Sequence, residues 1–373
     1  MLCNPYGIES LIGGSADDTF LMQATASIGT LNGGGGTGID RLELQDRGTS
    51  LDVTVSTTGR SVQGVVNTFS AIEQVELLGT NSDRLLGGIA QTLWSIDAFG
   101  KVVVGAVTYA GFEVIEAGSG LDTLSGPALE TTWNIAGSNS GQVNASGLNY
   151  TFSGIENLTG GVAEDIIVFQ PAGVVSGNVN GGTGIGNAIS YAAWTLGVGV
   201  NLTNPIANGN ATAVLGTLKN ISIVMGGTGN DILIGNSSTP TVLVGNAGND
   251  TLTGLAGRDI LIGGVGADTL SGAGGEDILI GGSTAHDTSQ TALLKIQFEW
   301  RDTTRAFAQR VNNLRGIGVA PRANGNYFLN TDTVFADLEA DSLTGGNGKD
   351  WFWGDLSEIL DFKSSGLQSD LRN

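Results

Sequence analysis

The chain has 373 residues, of which 61 are glycine and only 6 are proline. A glycine excess without proline excludes collagen and proline-rich linkers. The 36 acidic residues outnumber the 16 basic ones, for a formal net charge of −20, which argues against nucleic acid and anionic membranes as partners and fits a protein that binds cations.

The N-terminal residues MLCNPYGIES have neither a basic start nor an apolar stretch. We therefore expect no cleaved secretory signal peptide, and the sequence contains no run of 18 apolar residues that would predict a membrane span. The only cysteine, Cys3, excludes an intrachain disulfide.

Residues 1–225 contain a recurring phrase in which a strand leads into a glycine turn and an aspartate. The pattern predicts a degenerate β-solenoid with irregular turns, in which calcium fills only some turns. The alternative, in which these aspartates only shape turns, stays open. A glutamate that recurs early in the phrase is interpreted as a solvent-facing row, with extra metal ligands as the alternative. The aspartates of the phrase are Asp18, Asp83, Asp122, Asp165 and Asp231, and the glutamates are Glu9, Glu73, Glu113 and Glu156.

From Gly226 to Asp287 a shorter phrase repeats every nine residues. Glycine at positions 1 and 4 permits positive φ, so the first six residues predict a turn. The last three predict a short strand with an inward leucine at position 8. Such a fixed short period is typical of a stacked β-solenoid. The repeats read GGTGNDILI (226–234), the degenerate GNSSTPTVLV (235–244), GNAGNDTLT, GLAGRDILI, GGVGADTLS, GAGGEDILI and finally GGSTAHD (281–287).

Position 6 of the repeat is aspartate. If successive strands fall on alternate sheets and stack about 4.8 Å apart, turns on one edge recur every two repeats, and their carboxylates repel unless a cation lies between them. Calcium fits this gap, because it takes 6–8 oxygen ligands at about 2.3–2.6 Å from carboxylates and backbone carbonyls. The alternative, in which the aspartates only cap turns, does not explain why glycine at positions 1 and 4 recurs together with aspartate every nine residues. The predicted edges contain Asp231, Asp250, Asp268 and Asp287 on one side, and Asp259 and Asp277 on the other.

GGTGNDILI and GGVGADTLS match the phrase GGxGxDxUx, where U is a large apolar residue, and GGNGKDWFW at 345–353 repeats it. In these residues the chain resembles the RTX (repeats-in-toxin) family. The resemblance implies a parallel β-roll that holds several Ca²⁺ ions between turns two repeats apart, bound by position-6 aspartates and turn carbonyls. The implied pairs are Asp231/Asp250, Asp250/Asp268, Asp268/Asp287 and Asp259/Asp277, with the position-4 glycines Gly229, Gly248, Gly257, Gly266 and Gly275.

Two departures from the phrase affect these pairs. Pro240 stands at the aspartate position of the degenerate repeat, so no site is predicted between that repeat and Asp259. The segment GGSTAHD has one additional residue before Asp287, which makes the last pair the least regular.

Residues 290–315 contain neither glycine nor proline and have apolar residues at helical spacing. This pattern predicts two short helices with Asp302 as the N-cap between them. The apolar positions are Leu293, Ile296, Trp300, Phe307, Val311 and Leu314. Four arginines make this segment the basic patch of an acidic chain, and we expect them to contact the acidic repeats or remain solvated. They are Arg301, Arg305, Arg310 and Arg315.

Residues 325–337 predict a hairpin that turns at 330–332. The chain then re-enters the repeat at 345–353 and ends with an aromatic group, which predicts a cap over the open end of the stack. The aromatic residues are Trp351, Phe352, Trp353 and Phe362.

Together these elements predict an all-β protein: a parallel β-roll or β-solenoid, irregular in its N-terminal half, with a small helical and hairpin C-terminal cap. The predicted segments are degenerate solenoid repeats (1–225), a calcium-binding roll (226–287), a helical pair with a hairpin (288–340), and a terminal repeat with an aromatic cap (341–373).

Little in the sequence indicates catalysis. His286 is the only histidine, which excludes a zinc motif with two histidines on a helix, and no GxSxG elbow occurs. Carboxylate pairs could form a glycosidase, but the repeat places them on turn edges, so no enzymatic activity is predicted. We predict a calcium-binding structural or secretion module of a larger exported bacterial protein, located outside the cell or on its surface. The alternative is an adhesin whose N-terminal solenoid binds a glycan or another cell, which a glycan array would distinguish.

Overall fold

A computed structural model of the chain describes residues 8–55, 59–79, 82–203, 209–364 and 369–373, without the side chains of 209 and 210. Cys3 lies outside these ranges. The described residues form strands and two helices, in agreement with the predicted all-β class. The chain divides into two compact units: unit one is Met1–Ala163 with Gly173–Gly177, and unit two is Glu164–Ala172 with Asn178–Asn373.

Unit one consists of short strands. They are β1 (Ser10–Ile12), β2 (Thr19–Met22), β3 (Ile28–Asn32), β4 (Arg41–Gln45), β5 (Asp52–Val55), β6 (Arg60–Val62), β7 (Val66–Ser70), β8 (Gln74–Leu78), β9 (Arg84–Leu86), β10 (Leu93–Ile96), β11 (Val102–Val104), β12 (Val107–Ala110), β13 (Val114–Glu116), β14 (Thr123–Ser125), β15 (Thr131–Gly137), β16 (Ser140–Ala145), β17 (Leu148–Ser153) and β18 (Asn157–Thr159).

The pairing in unit one is mixed. Strands that belong to the recurring phrase stack in parallel, as in β5–β9–β13–β17 and β2–β4–β8–β12. Between them the chain folds back into antiparallel sets, β5–β6–β7, β10–β11–β12 and β15–β16–β17. The loop between β16 and β17 shows why: Ser146 and Gly147 have φ of 46° and 89°, and two successive positive φ values form the tight hairpin turn that suits twisted strands. The longer segments between phrases therefore form hairpins, which the sequence analysis did not predict.

Unit two contains the nine-residue repeats. Its elements are β19 (Asp165–Phe169), β20 (Val179–Asn180), β21 (Ala188–Ser190), β22 (Gly199–Asn201), β23 (Gly209–Ala211), β24 (Val214–Lys219), β25 (Ile223–Met225), β26 (Ile232–Ile234), β27 (Val242–Ala247), β28 (Thr251–Gly257), β29 (Ile260–Val265), β30 (Thr269–Gly275), β31 (Ile278–Ile280), β32 (Ser283–Thr284), α1 (Gln290–Trp300), α2 (Phe307–Leu314), β33 (Val334–Phe335), β34 (Ser342–Thr344), β35 (Trp351–Trp353) and β36 (Leu371–Arg372).

Successive repeats alternate between two rows of parallel strands. Row A is β19–β21–β25–β27–β29–β31–β35–β36, and row B is β22–β26–β28–β30–β34. Within each row the position-8 residues pair with one another, Leu243 with Leu261 in row A and Leu252 with Leu270 in row B. The predicted register of two repeats is thus confirmed for these strands, and it brings equivalent turns together on each edge.

The helical segment interrupts one repeat instead of following the last one. Strand β34 pairs with β30, and β35 pairs with β31, so the rows continue as if residues 283–340 were absent. The segment leaves and returns through a neck in which β32 pairs with β33 in antiparallel fashion. The predicted hairpin within 325–337 is therefore wrong: Val334 and Phe335 pair with Thr284 and Ser283 instead.

Both predicted helices are present. Ser289 caps α1, because its hydroxyl oxygen accepts the Ala292 N–H at 3.2 Å. Asp302 is not the N-cap of α2, since Ala306 occupies that position without a side-chain hydrogen bond. The Asp302 carboxylate instead accepts the Thr304 N–H at 2.8 Å, a local turn of the kind that aspartate often forms.

The helices cover the outer face of row A. Strands β27, β29, β31 and β35 of row A are apolar at positions 7, 8 and 9, as in Ile278–Ile280, whereas β28, β30 and β34 of row B carry threonine or serine at 7 and 9, as in Thr269–Ser271. Strand β26 of row B, Ile232–Ile234, is an exception. Row A thus has a second apolar face, and Leu293, Ile296 and Trp300 of α1 pack against it. The expectation that the helices cover the open end of the stack is wrong. They cover a face of it, and the end is covered by residues 355–364 and 369–373, where Ile359 bridges to Leu343 and β36 pairs with β35.

Candidate metal centre

The position-6 aspartates form a hydrogen-bonded ladder on each edge of the repeat region. In every step, the Oδ1 of one aspartate accepts the backbone N–H of the position-6 residue in the turn stacked before it. The first edge runs Asp231–Asp250–Asp268–Asp341 with N···Oδ1 distances of 2.7, 2.7 and 2.9 Å. The second edge runs Thr241–Asp259–Asp277–Asp350–Asp370 with 2.6, 2.9, 2.9 and 3.1 Å. The structure thus brings together the predicted pairs Asp231/Asp250, Asp250/Asp268 and Asp259/Asp277.

The predicted neighbour of Asp268 was wrong. Asp341 follows Asp268 on the first edge, and Asp287 lies in the inserted segment, where it accepts the Thr284 N–H at 2.7 Å. The reason is that the insertion begins inside the turn, after Gly282, so the next aspartate in the sequence does not complete that turn. A signal was available, since Asp341-Ser-Leu-Thr directly precedes GGNGKDWFW and repeats the aspartate-plus-strand half of the phrase.

The degenerate repeat also differs from the prediction. Thr241, not Pro240, occupies the aspartate position, and both its N–H and its hydroxyl donate to Asp259 Oδ1, at 2.6 and 2.9 Å. The repeat has ten residues, so its position 6 is shifted by one. A hydroxyl that donates to Asp259 brings no negative charge, and this turn therefore offers no second carboxylate.

The second carboxylate oxygen of most ladder aspartates has no hydrogen-bond donor among the described residues. This applies to the buried Oδ2 atoms of Asp250, Asp259, Asp268, Asp277 and Asp350. Asp231 differs, because its Oδ2 accepts the Gly227 N–H at 2.7 Å. In the part of the chain that the structure describes, no salt bridge reaches the five. Buried carboxylates without a positive partner are costly, and their Oδ2 atoms are therefore candidate ligands for a cation.

Burial raises the pKa of these carboxyls. The pKa of Asp250 and Asp268 is raised to about 7, mainly because burial disfavours the charged form. For Asp277 burial, together with the negative charge of Asp259, raises the pKa to about 9. Hydrogen bonds from the backbone act in the opposite direction but do not compensate. A bound cation would reverse this balance, because positive charge favours the ionised carboxylate.

Backbone carbonyls supply the other oxygens between stacked turns. The position-4 glycines Gly248, Gly257, Gly266 and Gly275 have φ between 115° and 135°, a region that residues with a Cβ rarely adopt. A Cβ on Gly266 would lie 2.0 Å from the Gly248 oxygen, and the Gly229 oxygen lies 2.6 Å from the Cβ position of Gly248. Position 4 therefore must be glycine, and its carbonyl faces the neighbouring turn.

Side chains alone do not complete a metal site here. No group of three or more histidine, cysteine, aspartate or glutamate side chains converges within the described ranges. An ion between the turns would need carboxylate and carbonyl oxygens together, a donor set that suits calcium and not zinc, which prefers nitrogen and sulfur. The residues of the repeats fit the ion that the sequence analysis predicted.

Unit one contains a similar set of hydrogen bonds of its own, with glutamates in place of some aspartates. The N–H groups of Asp40, Asp83 and Asp122 donate to the side chains of Glu73, Glu113 and Glu156, at 2.9, 3.0 and 2.8 Å. The interpretation of these three glutamates as a solvent-facing row is therefore incomplete: Glu113 is exposed, whereas Glu73 and Glu156 are half-buried, and all three accept backbone N–H groups. They hold turns together across stacked strands, a role that depends on the pairing and not on the local sequence.

We predict that position 4 is far more sensitive to substitution than its neighbour. In Gly275→Ala the new Cβ would lie 1.4 Å from the Gly257 oxygen at a φ of 135°, whereas the matched control Gly274→Ala meets no atom closer than 3.5 Å. We expect Gly275→Ala to lower the free energy of unfolding by about 2 kcal/mol or more and the control by less than about 1 kcal/mol. Urea denaturation in calcium would measure both, and equal effects would contradict the close approach of the turns.

Comparison with protein-family models identifies the RTX calcium-binding nonapeptide repeat in four copies, within residues 222–239, 244–279 and 329–356. The chain therefore carries RTX calcium-binding nonapeptide repeats, and the resemblance drawn from its sequence is confirmed. The third range includes Asp341 and Asp350, which both follow the re-entry into the rows. A search among curated proteins gave no significant match. None of the helices in the described ranges is long and apolar enough to span a membrane.

Proposed function

We propose that the repeats of unit two form a parallel β-roll that binds several calcium ions between stacked turns and completes its folding only when they are bound. The observation that carries this proposal is the set of buried Oδ2 atoms without donors at Asp250, Asp259, Asp268, Asp277 and Asp350. Each belongs to a ladder in which the other oxygen already has its hydrogen bond, so each leaves one charged oxygen for a ligand.

The proposed ligands are these carboxylates, with Asp231 and Asp341, and the carbonyl oxygens of turn glycines. The position-4 carbonyls of Gly229, Gly248, Gly257, Gly266 and Gly275 are included because they face stacked turns or repeat the position of those that do. Asp287, which lies outside both ladders, is not among them. The bound ions would supply positive charge to Asp250, Asp259, Asp268 and Asp277, which no salt bridge among the described residues reaches.

We propose that the protein acts as a structural or secretion module of an exported protein, without catalytic activity. Extracellular calcium modules bind at about 10⁻⁴–10⁻³ M, so this roll would remain incompletely folded where calcium is scarce and fold outside the cell. The adhesin alternative stays a prediction, and it would require that the calcium-loaded chain binds a defined glycan or cell surface.

The carboxylates should differ in their effect on calcium binding. We expect Asp250→Asn and Asp268→Asn each to weaken binding roughly tenfold or more at the affected sites, since even outer-shell partners of metals contribute 10–100-fold. Asparagine keeps an oxygen for the ladder hydrogen bond but loses the charge. Asp231→Asn should cost less, because both oxygens of Asp231 already accept N–H groups, from Val198 and Gly227.

Calorimetric titration of the full chain with calcium would measure these differences. Asp287→Asn is the matched control, with the same chemical change outside the ladders, and it should leave the titration unaltered. Equal losses in all four variants would show that the ladder register does not determine the calcium sites.

A further inference from the structure

The last repeat turn, Gly345–Asp350, has no further repeat stacked on it. Residues 361–364 and 369–372 lie there instead. The Asp361 carboxylate accepts the N–H groups of Gly345 and Gly346 at 2.9 and 2.7 Å. Asp370 takes the next place in the second ladder, because its Oδ1 accepts the Asp350 N–H at 3.1 Å. The tail therefore imitates one more turn and contributes two more carboxylates.

The tail also places an ammonium group on this turn. Lys363 Nζ donates a hydrogen bond to the carbonyl oxygen of Gly346, which is position 2 of the repeat. In the turn before, the position-2 carbonyl of Ala273 faces the stacked turn and lies 2.2 Å from the Cβ position of Gly346. The Gly346 carbonyl thus accepts from Lys363, whereas the equivalent carbonyl of Ala273 faces another repeat turn.

The surroundings of Lys363 are those of a cation site. Its backbone N–H donates to Asp370 Oδ2 at 2.8 Å, which fixes the start of the side chain beside the ladder. Its positive charge also interacts favourably with the carboxylate of Asp350, whose Oδ2 has no hydrogen-bond donor in the described chain. The ammonium thus contacts a turn carbonyl and acts electrostatically on a ladder carboxylate, the same two kinds of group that are proposed to bind calcium elsewhere.

We infer that the Lys363 ammonium is the resident cation of the last turn and takes there the place that calcium takes between earlier turns. The comparison of the ammonium with calcium rests on the proposed function, whereas the contacts of Lys363 do not depend on it. It follows that the last turn and β35 stay ordered without calcium. The C-terminal end of the roll then offers a preformed edge on which the preceding turns assemble when calcium binds.

Hydrogen exchange on the full chain would test this inference without calcium. In a chelator, the amides of Gly345, Gly346 and Asp350, which donate to Asp361 and Asp370 of the tail, should exchange at least about tenfold more slowly in the unmodified chain than in Lys363→Met. Lys349→Met is the matched control, because it removes the same charge from the same turn and Lys349 donates to no carbonyl among the described residues. This variant should behave like the unmodified chain. Equal exchange in Lys363→Met and the unmodified chain, or unprotected amides at Gly345, Gly346 and Asp350 in both, would overturn the inference.

Counting bound ions separates this inference from the proposed function. In saturating calcium, Lys363→Met should bind one more ion than the unmodified chain, because Asp350, Asp361 and Asp370 would be left without the ammonium. An unchanged count would overturn the equivalence of ammonium and calcium. If no variant bound calcium at all, the proposed function would fail, while the exchange rates in chelator would still decide whether Lys363 holds the last turn.

Discussion

Chelation of calcium is expected to remove most of the ordered structure of the repeats in unit two, and millimolar calcium is expected to restore it. The buried carboxylates at Asp250, Asp259, Asp268 and Asp277 lose their counter-charge when the ion leaves. An ion present at ten times its dissociation constant stabilises the folded state by about 1.4 kcal/mol. Several such ions together match the 5–15 kcal/mol that typically stabilises a whole domain.

Circular dichroism during a calcium titration of the full chain would measure this effect. Magnesium at the same concentration is the control, because it supplies the same charge but demands a smaller octahedral site and retains its waters. The signal should recover with calcium and much less with magnesium. Identical spectra in chelator and in calcium would show that the ladder hydrogen bonds suffice without an ion, which would remove the basis of the proposed function.

The turn-and-strand half of the fold follows from the sequence because the repeat specifies it locally. Glycine at positions 1 and 4 allows the turn, and a Cβ at Gly245 would lie 2.2 Å from Asp250 Oδ2, so glycine and aspartate are required together within one repeat. The strand places one leucine inward. These short-range constraints fixed the register that pairs Leu252 with Leu270.

The sequence analysis did not predict that residues 283–340 interrupt one repeat, because a local pattern does not show where the chain leaves the stacked rows and where it returns to them. The phrase GGSTAHD contains an aspartate at nearly the right distance, and only the pairing of β34 with β30 shows that Asp341 completes the turn. The glutamates of unit one present the same difficulty. Glu113 meets the N–H of Asp83, 30 residues away, and no spacing within one phrase indicates that contact.

The covered face of row A, by contrast, was readable. From residue 242 to residue 280, the repeats that enter row A have valine or isoleucine on both sides of the inward leucine, as in Ile260–Ile262, and those that enter row B have threonine or serine there, as at Thr251 and Thr253. A strand that is apolar on both faces must be covered twice. The alternation between the two kinds of repeat predicts that one row is covered by an additional element, and the two helices with apolar stripes are that element.

Helix α1 crosses row A and contacts its turns in order. The Gln290 side chain donates to the Gly186 oxygen, Gln297 to the Pro240 oxygen and Trp300 Nε1 to the Glu276 oxygen, at 3.0, 3.0 and 2.7 Å. The helix has 11 residues and so spans about 16 Å, which matches three to four strands at about 4.8 Å each. The basic patch also takes part, since Arg310 pairs with Glu276. The helix thus connects the irregular start of row A with its repeats.

Replacement of Trp300 by alanine is therefore expected to destabilise unit two even in saturating calcium. Trp300 is fully buried, packs against Trp351 with ring centroids 6.2 Å apart, and lies 4.7 Å beneath the Arg310 guanidinium. Loss of a buried tryptophan costs about 3–5 kcal/mol, which corresponds to a fall of roughly 6–20 °C in Tm for a unit of this size.

Phe298→Ala is the matched control on the same helix, because that ring is only partly buried, and it should cost less than half as much. Thermal unfolding of both variants in calcium would measure the two changes in Tm. Equal and small shifts would show that row A does not depend on its helical cover.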